Sequence, residues 1–243
     1  SCDAAHDFPE DLMSDAGRNN DQLELSSTTY LKGHTWKKQR GICLLPAGSN
    51  IPTRVALAWR GLILPPNQAW HFMAIEGDEV GEAYNRAIQS VLDHPDLSQW
   101  EYILTMEHDN LPPGDGVLKL IKRLEDNPHL SAVGGLYWTK YENGCPQIWG
   151  DAKDPVTNFR PQPPVPGELV ECCGTGMGFN LWRLSMFKDP NIQKPWFVTK
   201  AGLEGVGTQD LHFWSNARKA GHRCAVDCAC LVGHLDTSTG IVW

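Results

Sequence analysis

Long apolar runs are missing from this sequence: its uncharged stretches, such as Ile42 to Pro46, fall far short of the roughly 20 residues that span a bilayer, so no membrane span is expected. The opening SCDAAHDFPEDL carries acids where a secretory leader carries positive charge, so export is not expected. Paired CxxC spacing is absent from the eight cysteines (Cys2, Cys43, Cys145, Cys172, Cys173, Cys224, Cys228 and Cys230), several of which sit in apolar runs. A reduced thiol behaves there as a small hydrophobe, and the expectation is a reduced, cytoplasmic chain. Positive charge is in short supply too: the formal net charge of −8 argues against a broad basic face for nucleic acid. An acidic protein can still hold phosphates if a metal ion supplies the charge. Internal repeats and low-complexity tracts are also lacking.

What is present is enough apolar material, 41% of 243 residues, for one sizeable core. Residues 1–38 read as a polar arm without sustained periodicity, and 39–243 as one catalytic domain in two halves, 39–138 and 139–243. Strands are expected at GICLLP from Gly41, AWHFMAI from Ala69, EYILTME from Glu101 and SAVGGLYW from Ser131. Helices are expected from Thr53 with that threonine as cap, over Glu79 to Leu92, and over about Asp115 to Asp126. Such alternation predicts an α/β fold: a mostly parallel, Rossmann-like central sheet flanked by helices, with right-handed crossovers. After a loop with five prolines between Asp151 and Gly167, the pattern predicts a strand at Glu168 to Cys173 and a glycine turn at Gly174 to Gly178. Helices then follow over Leu181 to Phe187 and about Gln209 to Ala220, and a last strand over Arg223 to Val232.

Several constellations carry chemistry. Glu107-His108-Asp109-Asn110 follows the carboxyl end of a buried strand, the end at which open α/β sheets bind ligands. Two carboxylates spaced in this way can turn toward one hard cation and a diphosphate, although a polar loop needs no such role. His234 leaves the last strand and can swing back to the same edge; carboxylate oxygens with one imidazole suit Mn2+. Cys224, Cys228, Cys230 and His234 also offer a zinc set, the three cysteines sharing one face of a regular strand. Asp210 falls in the first turn of a helix behind Thr208, placed either to cap charge or to act as a general base. Gly174-Thr175-Gly176 lets backbone amides approach an oxygen-rich ligand or simply makes a tight turn. Asn85 and Arg86 on their helix can meet a base edge and a phosphate, or solvent. Ten tryptophans, among them Trp138, Trp149, Trp182, Trp196 and Trp214, offer stacking surfaces or core.

In order, LLPAGSNIP, GEAYNRAI, YILTMEHDNLPP, VGGLYW, CCGTGMGFNLWRLSMF, GTQDLHFW and AGHRCAVDCACLVGH resemble the motif succession of GT-A glycosyltransferases, most of all the family-two-like enzymes, over about four fifths of the chain. The resemblance implies a nucleotide-diphosphate sugar, UDP favoured, and Mn2+ or Mg2+ at Asp109 and His234. Glu107-His108-Asp109 stands where the family has its DxD motif, with Glu107 touching the metal, the ribose or both. It further implies that Pro46, Ala47 and Gly48 form the first nucleotide-facing loop, Asn85 and Arg86 the second, and Gly174 to Gly176 the turn beside the donor sugar. Asp210 takes the place of the catalytic base, with Gln209 where the family carries glutamate. An inverting displacement follows, although retaining families share the metal motif. The acceptor expected first is a glycan or glycoconjugate, and second a modified DNA base, a use known among bacteriophage glycosyltransferases, which would place the enzyme in the host cytoplasm. A nucleotidyltransferase is the rival reading, yet LLPAGSNIP lacks the lysine of its phosphate loop; a non-catalytic nucleotide-sugar or glycan-binding module is the other.

Overall fold

Gly41–Ala47 is buried from end to end but for its last residue, and its side chains divide by parity: Ile42 and Leu44 enter one core, Cys43 and Leu45 the other. That division marks a strand covered on both faces, and it recurs through the sheet. The computed structural model describes residues 40–243 apart from 49, 67–68, 78, 141–142 and 200–207; the expected polar arm lies outside them.

The elements run β1 (Gly41–Ala47), α1 (Thr53–Arg60), β2 (Trp70–Glu76), α2 (Val80–Asp93), β3 (Tyr102–Met106), β4 (Asn110–Leu111), α3 (Gly116–Asp126), β5 (Ala132–Leu136), β6 (Ile148–Asp151), β7 (Leu169–Thr175), β8 (Phe179–Arg183), α4 (Gln209–Lys219), β9 (Cys224–Leu231) and β10 (Gly233–His234). Eight strands form one sheet in the order β2-β1-β3-β8-β5-β9-β7-β6, and β10 pairs with β4 separately. β1 is parallel to β2 and β3, and β5 to β9, whereas β8 and β7 run against their neighbours. The sheet is therefore mostly parallel by strand direction. β8, from the second half of the sequence, lies between β3 and β5 of the first, so the two halves interleave.

Helices cover both faces. α2 buries Ala83, Tyr84, Ala87, Ile88 and Val91, the helical spacing that the sequence announces, beside an aromatic cluster of Trp182, Phe187, Trp196, Phe197, Phe213 and Trp214. Trp182 and Trp214 stack at 5.3 Å and Phe197 on Phe213 at 4.8 Å, so these tryptophans are core and not sugar platforms. α3 buries Val117, Leu120, Ile121 and Leu124 on the opposite face. Glu79 caps α2 by accepting from the amides of Gly81 and Glu82 at 2.8 and 3.2 Å.

Three expectations give way. Leu181 to Phe187 is not a helix: Phe179–Arg183 is a central strand followed by a 3-10 turn at Leu184–Lys188, because an apolar run buried on both sides shows no period that separates helix from strand. The segment Gly174 to Gly178 thus joins two strands and precedes no helix. Thr53 does not cap α1 either; Pro52 holds the cap position, without a side-chain bond. The zinc set fails as well. Between Gly135 and Leu136 the register of β5 on β9 slips, so Cys230 packs into the opposite core from Cys224 and Cys228. Among the described residues the cysteines are free, and no helix is long and apolar enough to cross a membrane.

Candidate active site at the carboxyl edge of the sheet

β3 ends at Met106, and the chain turns at once. The Asn110 amide donates to the Glu107 carbonyl at 3.1 Å, and the Glu107 amide to the Gly178 carbonyl at 3.2 Å. This turn leaves His108 exposed and Glu107 and Asp109 half-buried. β10 then brings the end of the chain back: His234 pairs with Asn110, and the Leu235 amide donates to the Asp109 carbonyl at 2.7 Å. His234 is thereby fixed beside Asp109 by backbone bonds, 125 positions away in sequence (234 less 109).

The side chains converge. His234 Nε2 stands 3.4 Å from Asp109 Oδ2, while its Nδ1 lies 2.7 Å from the Trp138 carbonyl. A carbonyl only accepts, so Nδ1 carries a proton and donates to it. Nε2 is thus the ring nitrogen turned to Asp109, and a backbone carbonyl that orients an imidazole in this way is the usual support of a metal ligand. Lys140 Nζ donates to the same Asp109 Oδ2 at 2.6 Å. Burial alone would raise the Asp109 carboxyl, but the hydrogen bonds and charges of His234 and Lys140 outweigh it and bring it down to about 2.

Glu107 behaves oppositely. Burial first, then the negative charges of Asp109 and Asp210, push its carboxyl up to about 8 against the pull of Lys140. Asp210 is buried in the first turn of α4, 8% exposed, and burial raises it against the Thr208 hydroxyl and the Leu211 amide. Thr208 holds the cap position as expected, though no bond runs from its hydroxyl to a backbone amide.

A hollow of about 460 Å3 joins Pro46, Ala47 and Gly48 at the end of β1 to Glu107, His108 and Asp109 at the end of β3. Ile75, Gly77 and Val80 complete one wall, and Gln209, the residue before Asp210, reaches it from α4. The structure thus gathers the first loop, the acidic motif and the start of α4. It places the other candidates elsewhere. The Asn85 side chain is spent on the Phe197 backbone, donating to its carbonyl at 2.6 Å and accepting from its amide at 3.0 Å, and Asn85 and Arg86 line a separate hollow. Gly174, Thr175 and Gly176 lie at the end of β7, outside the hollow. Gly176 backs onto Tyr137, whose hydroxyl accepts from the Gly178 amide at 2.9 Å and whose ring meets His234 edge-on at 5.5 Å. A side chain at Gly178 would strike Asn110 and Tyr137, so only glycine fits there. A larger hollow of about 700 Å3, between Gln89, Gln99 and Lys188, is lined by one acid, Asp189, whose partner His222 is tied through both ring nitrogens.

Sequence reasoning passed over Lys140, the Trp138 carbonyl and Tyr137. No motif marks Lys140; its only signal is its place just past the strand VGGLYW, at the same edge as Asp109. Among the described residues no group of three or more His, Cys, Asp or Glu side chains is gathered for an ion. Asp109 and His234 offer two ligands, enough for a cation that keeps waters and takes its remaining oxygens from phosphates.

No protein-family model matches the sequence, and no curated protein does. Among solved structures, the chain is similar to A197 from STIV at a TM-score of 0.57, with 14% identity over 81% of this chain and 86% of that one. It also aligns with the catalytic domain of Drosophila β1,4-galactosyltransferase 7 in complex with xylobiose, at TM-score 0.48 and 15% identity over 83% and 72%. A third alignment is with S. aureus TarS, at 0.44 and 14% over 77% and 57%. The first likeness is one of fold alone, and the latter two are too slight to carry an argument.

Proposed function

We propose that the chain is a metal-dependent glycosyltransferase of the GT-A type, moving a sugar from a nucleotide-diphosphate sugar, UDP favoured, to an acceptor hydroxyl. The observation that carries this reading is the facing of His234 Nε2 and Asp109 Oδ2 across 3.4 Å, beside a hollow of nucleotide size that Asp109 lines. A divalent cation held there, Mn2+ or Mg2+, would neutralise the charge that gathers on the departing diphosphate. Pro46, Ala47 and Gly48 form the floor beneath the nucleoside, and nothing stands within 4 Å of where a Gly48 side chain would begin, so a flat ring can lie close. Glu107, neutral while its pKa stays near 8, donates a hydrogen bond to a ribose hydroxyl.

Asp210 is the general base. Its burial makes the carboxylate a better proton acceptor, and its neighbour Gln209 reaches the donor hollow. It takes the proton of the acceptor hydroxyl; that oxygen bonds to the anomeric carbon as the bond to the diphosphate breaks, with inversion. The acceptor favoured is a glycan or glycoconjugate, and the acidic net charge sets a modified DNA base second. The test is a panel of UDP-sugars with Mn2+, read as UDP release in the presence of oligosaccharide acceptors. Release of UDP with a glycosylated product supports the reading. Release of pyrophosphate from UTP and a sugar phosphate would replace it with a nucleotidyltransferase.

A further inference from the structure

Asp109 already has a cation beside it, and that cation belongs to the chain. Lys140 places its ammonium 2.6 Å from Asp109 Oδ2, the same oxygen that faces His234. The lysine sits at the neck of a hairpin whose backbone is tied on both sides. Thr139 donates to the Cys145 carbonyl at 2.9 Å, Cys145 returns a bond to the Thr139 hydroxyl at 2.8 Å, and Gln147 donates to the Tyr137 carbonyl at 2.9 Å. Trp138, two residues before Lys140, supplies the carbonyl that orients His234. One short segment therefore aims both the imidazole and the ammonium at a single carboxylate oxygen.

An ammonium and a divalent ion compete for that oxygen. At contact distance in a half-buried site their repulsion is large, and the pair's side chains are only 24% and 14% exposed.

We infer that Lys140 is a tethered counter-cation of the donor site, holding Asp109 until a divalent ion and a diphosphate arrive together, then ceding the oxygen to the metal and turning its ammonium onto the phosphates. This rests on the cation reading of Asp109 and His234. Metal and diphosphate then bind cooperatively, because the displaced ammonium finds a new anion only when both are present. Metal alone must pull Asp109 away from its lysine and binds weakly.

Calorimetric titration of Mn2+, alone and with inorganic pyrophosphate, into the full chain and into Lys140→Met tests this. The variant is expected to bind Mn2+ alone about tenfold more tightly, since no charge-assisted bond has to break, and to lose most of the mutual enhancement between Mn2+ and pyrophosphate. Equal Mn2+ affinity in the two proteins overturns the inference and leaves the cation reading standing. If neither protein binds Mn2+ and only the lysine-bearing one binds pyrophosphate, Lys140 substitutes for a metal, and both readings fall. Lys140→Gln, which keeps a polar end at the half-exposed position, repeats the measurement should the methionine variant prove unstable.

Discussion

Two histidine–aspartate pairs sit at opposite ends of the sheet, and only one of them is finished. At the amino end of β5, His222 lies 2.8 Å from the Ser131 hydroxyl through Nδ1 and 3.0 Å from Asp189 through Nε2. Both ring nitrogens are spent, and Asp189 is held below the usual carboxylate range by the Asn191 amide and then by His222. At the carboxyl end of β3, His234 spends Nδ1 on a carbonyl and turns Nε2 toward Asp109 across a longer gap, with Lys140 on the same oxygen. The first pair is a closed network that ties loops together, whereas the second, more open pair brings two basic groups to one carboxylate oxygen. Residue types alone do not separate the two; what separates them is the longer gap of the second pair and the ammonium that shares its carboxylate oxygen.

The sharpest way to break this contrast is at the base beside the open pair. Asp210→Asn should lower turnover by roughly a hundredfold to ten-thousandfold while UDP affinity in Mn2+ stays within about threefold, read by product release and calorimetry. Retained turnover would remove Asp210 from that role. Next comes the exchange of the two histidines. His234→Ala should weaken Mn2+ binding in the presence of UDP by about ten- to a hundredfold. His222→Ala should leave Mn2+ binding unchanged and lower the melting temperature by about 2 to 6 °C. If both variants lose metal equally, the contrast is false.

Glu107 gives a pH signature at the open end opposite in direction to that of Asp189 at the closed end. Its folded pKa of about 8 lies above the ordinary 4.5, so the folded chain holds a proton that the unfolded chain releases. Stability contributed by this group is present below about 4.5 and declines as pH rises toward 8. Glu107→Gln in EDTA should therefore lose less melting temperature between pH 5 and pH 8 than the parent; parallel curves would refute the shift. The smallest effect belongs to a third pair. His129 and Glu171, 2.9 Å apart but about half exposed, should contribute no more than about 0.5 kcal/mol, measured as urea stability of His129→Ala.

The α/β architecture was legible because α2 and α3 carry their apolar residues at helical spacing and β1, β3 and β9 are short apolar runs between turn signals. β8 was not, since Phe179 to Trp182 is buried on both sides and its apolar run allows either period. Asp109 and His234 were legible as types at strand ends, but their meeting depends on β4 and β10, two residues each, too short to leave a pattern. Lys140 was invisible for a different reason. A lysine past a strand is ordinary, and only the hairpin tied at Thr139 and Cys145 aims it. Asn85 misled in the opposite sense, because its exposed-looking position on α2 faces the Phe197 backbone, which lies 112 positions away.

One titration tests the open pair most directly: UDP into the protein with Mn2+ and again with EDTA, repeated for Asp109→Asn and Asp189→Asn. UDP should bind the parent and Asp189→Asn only with Mn2+, and Asp109→Asn should lose that dependence together with most of the affinity. Binding as tight in EDTA as in Mn2+, or unaltered in Asp109→Asn, would mean that no cation joins Asp109 and His234.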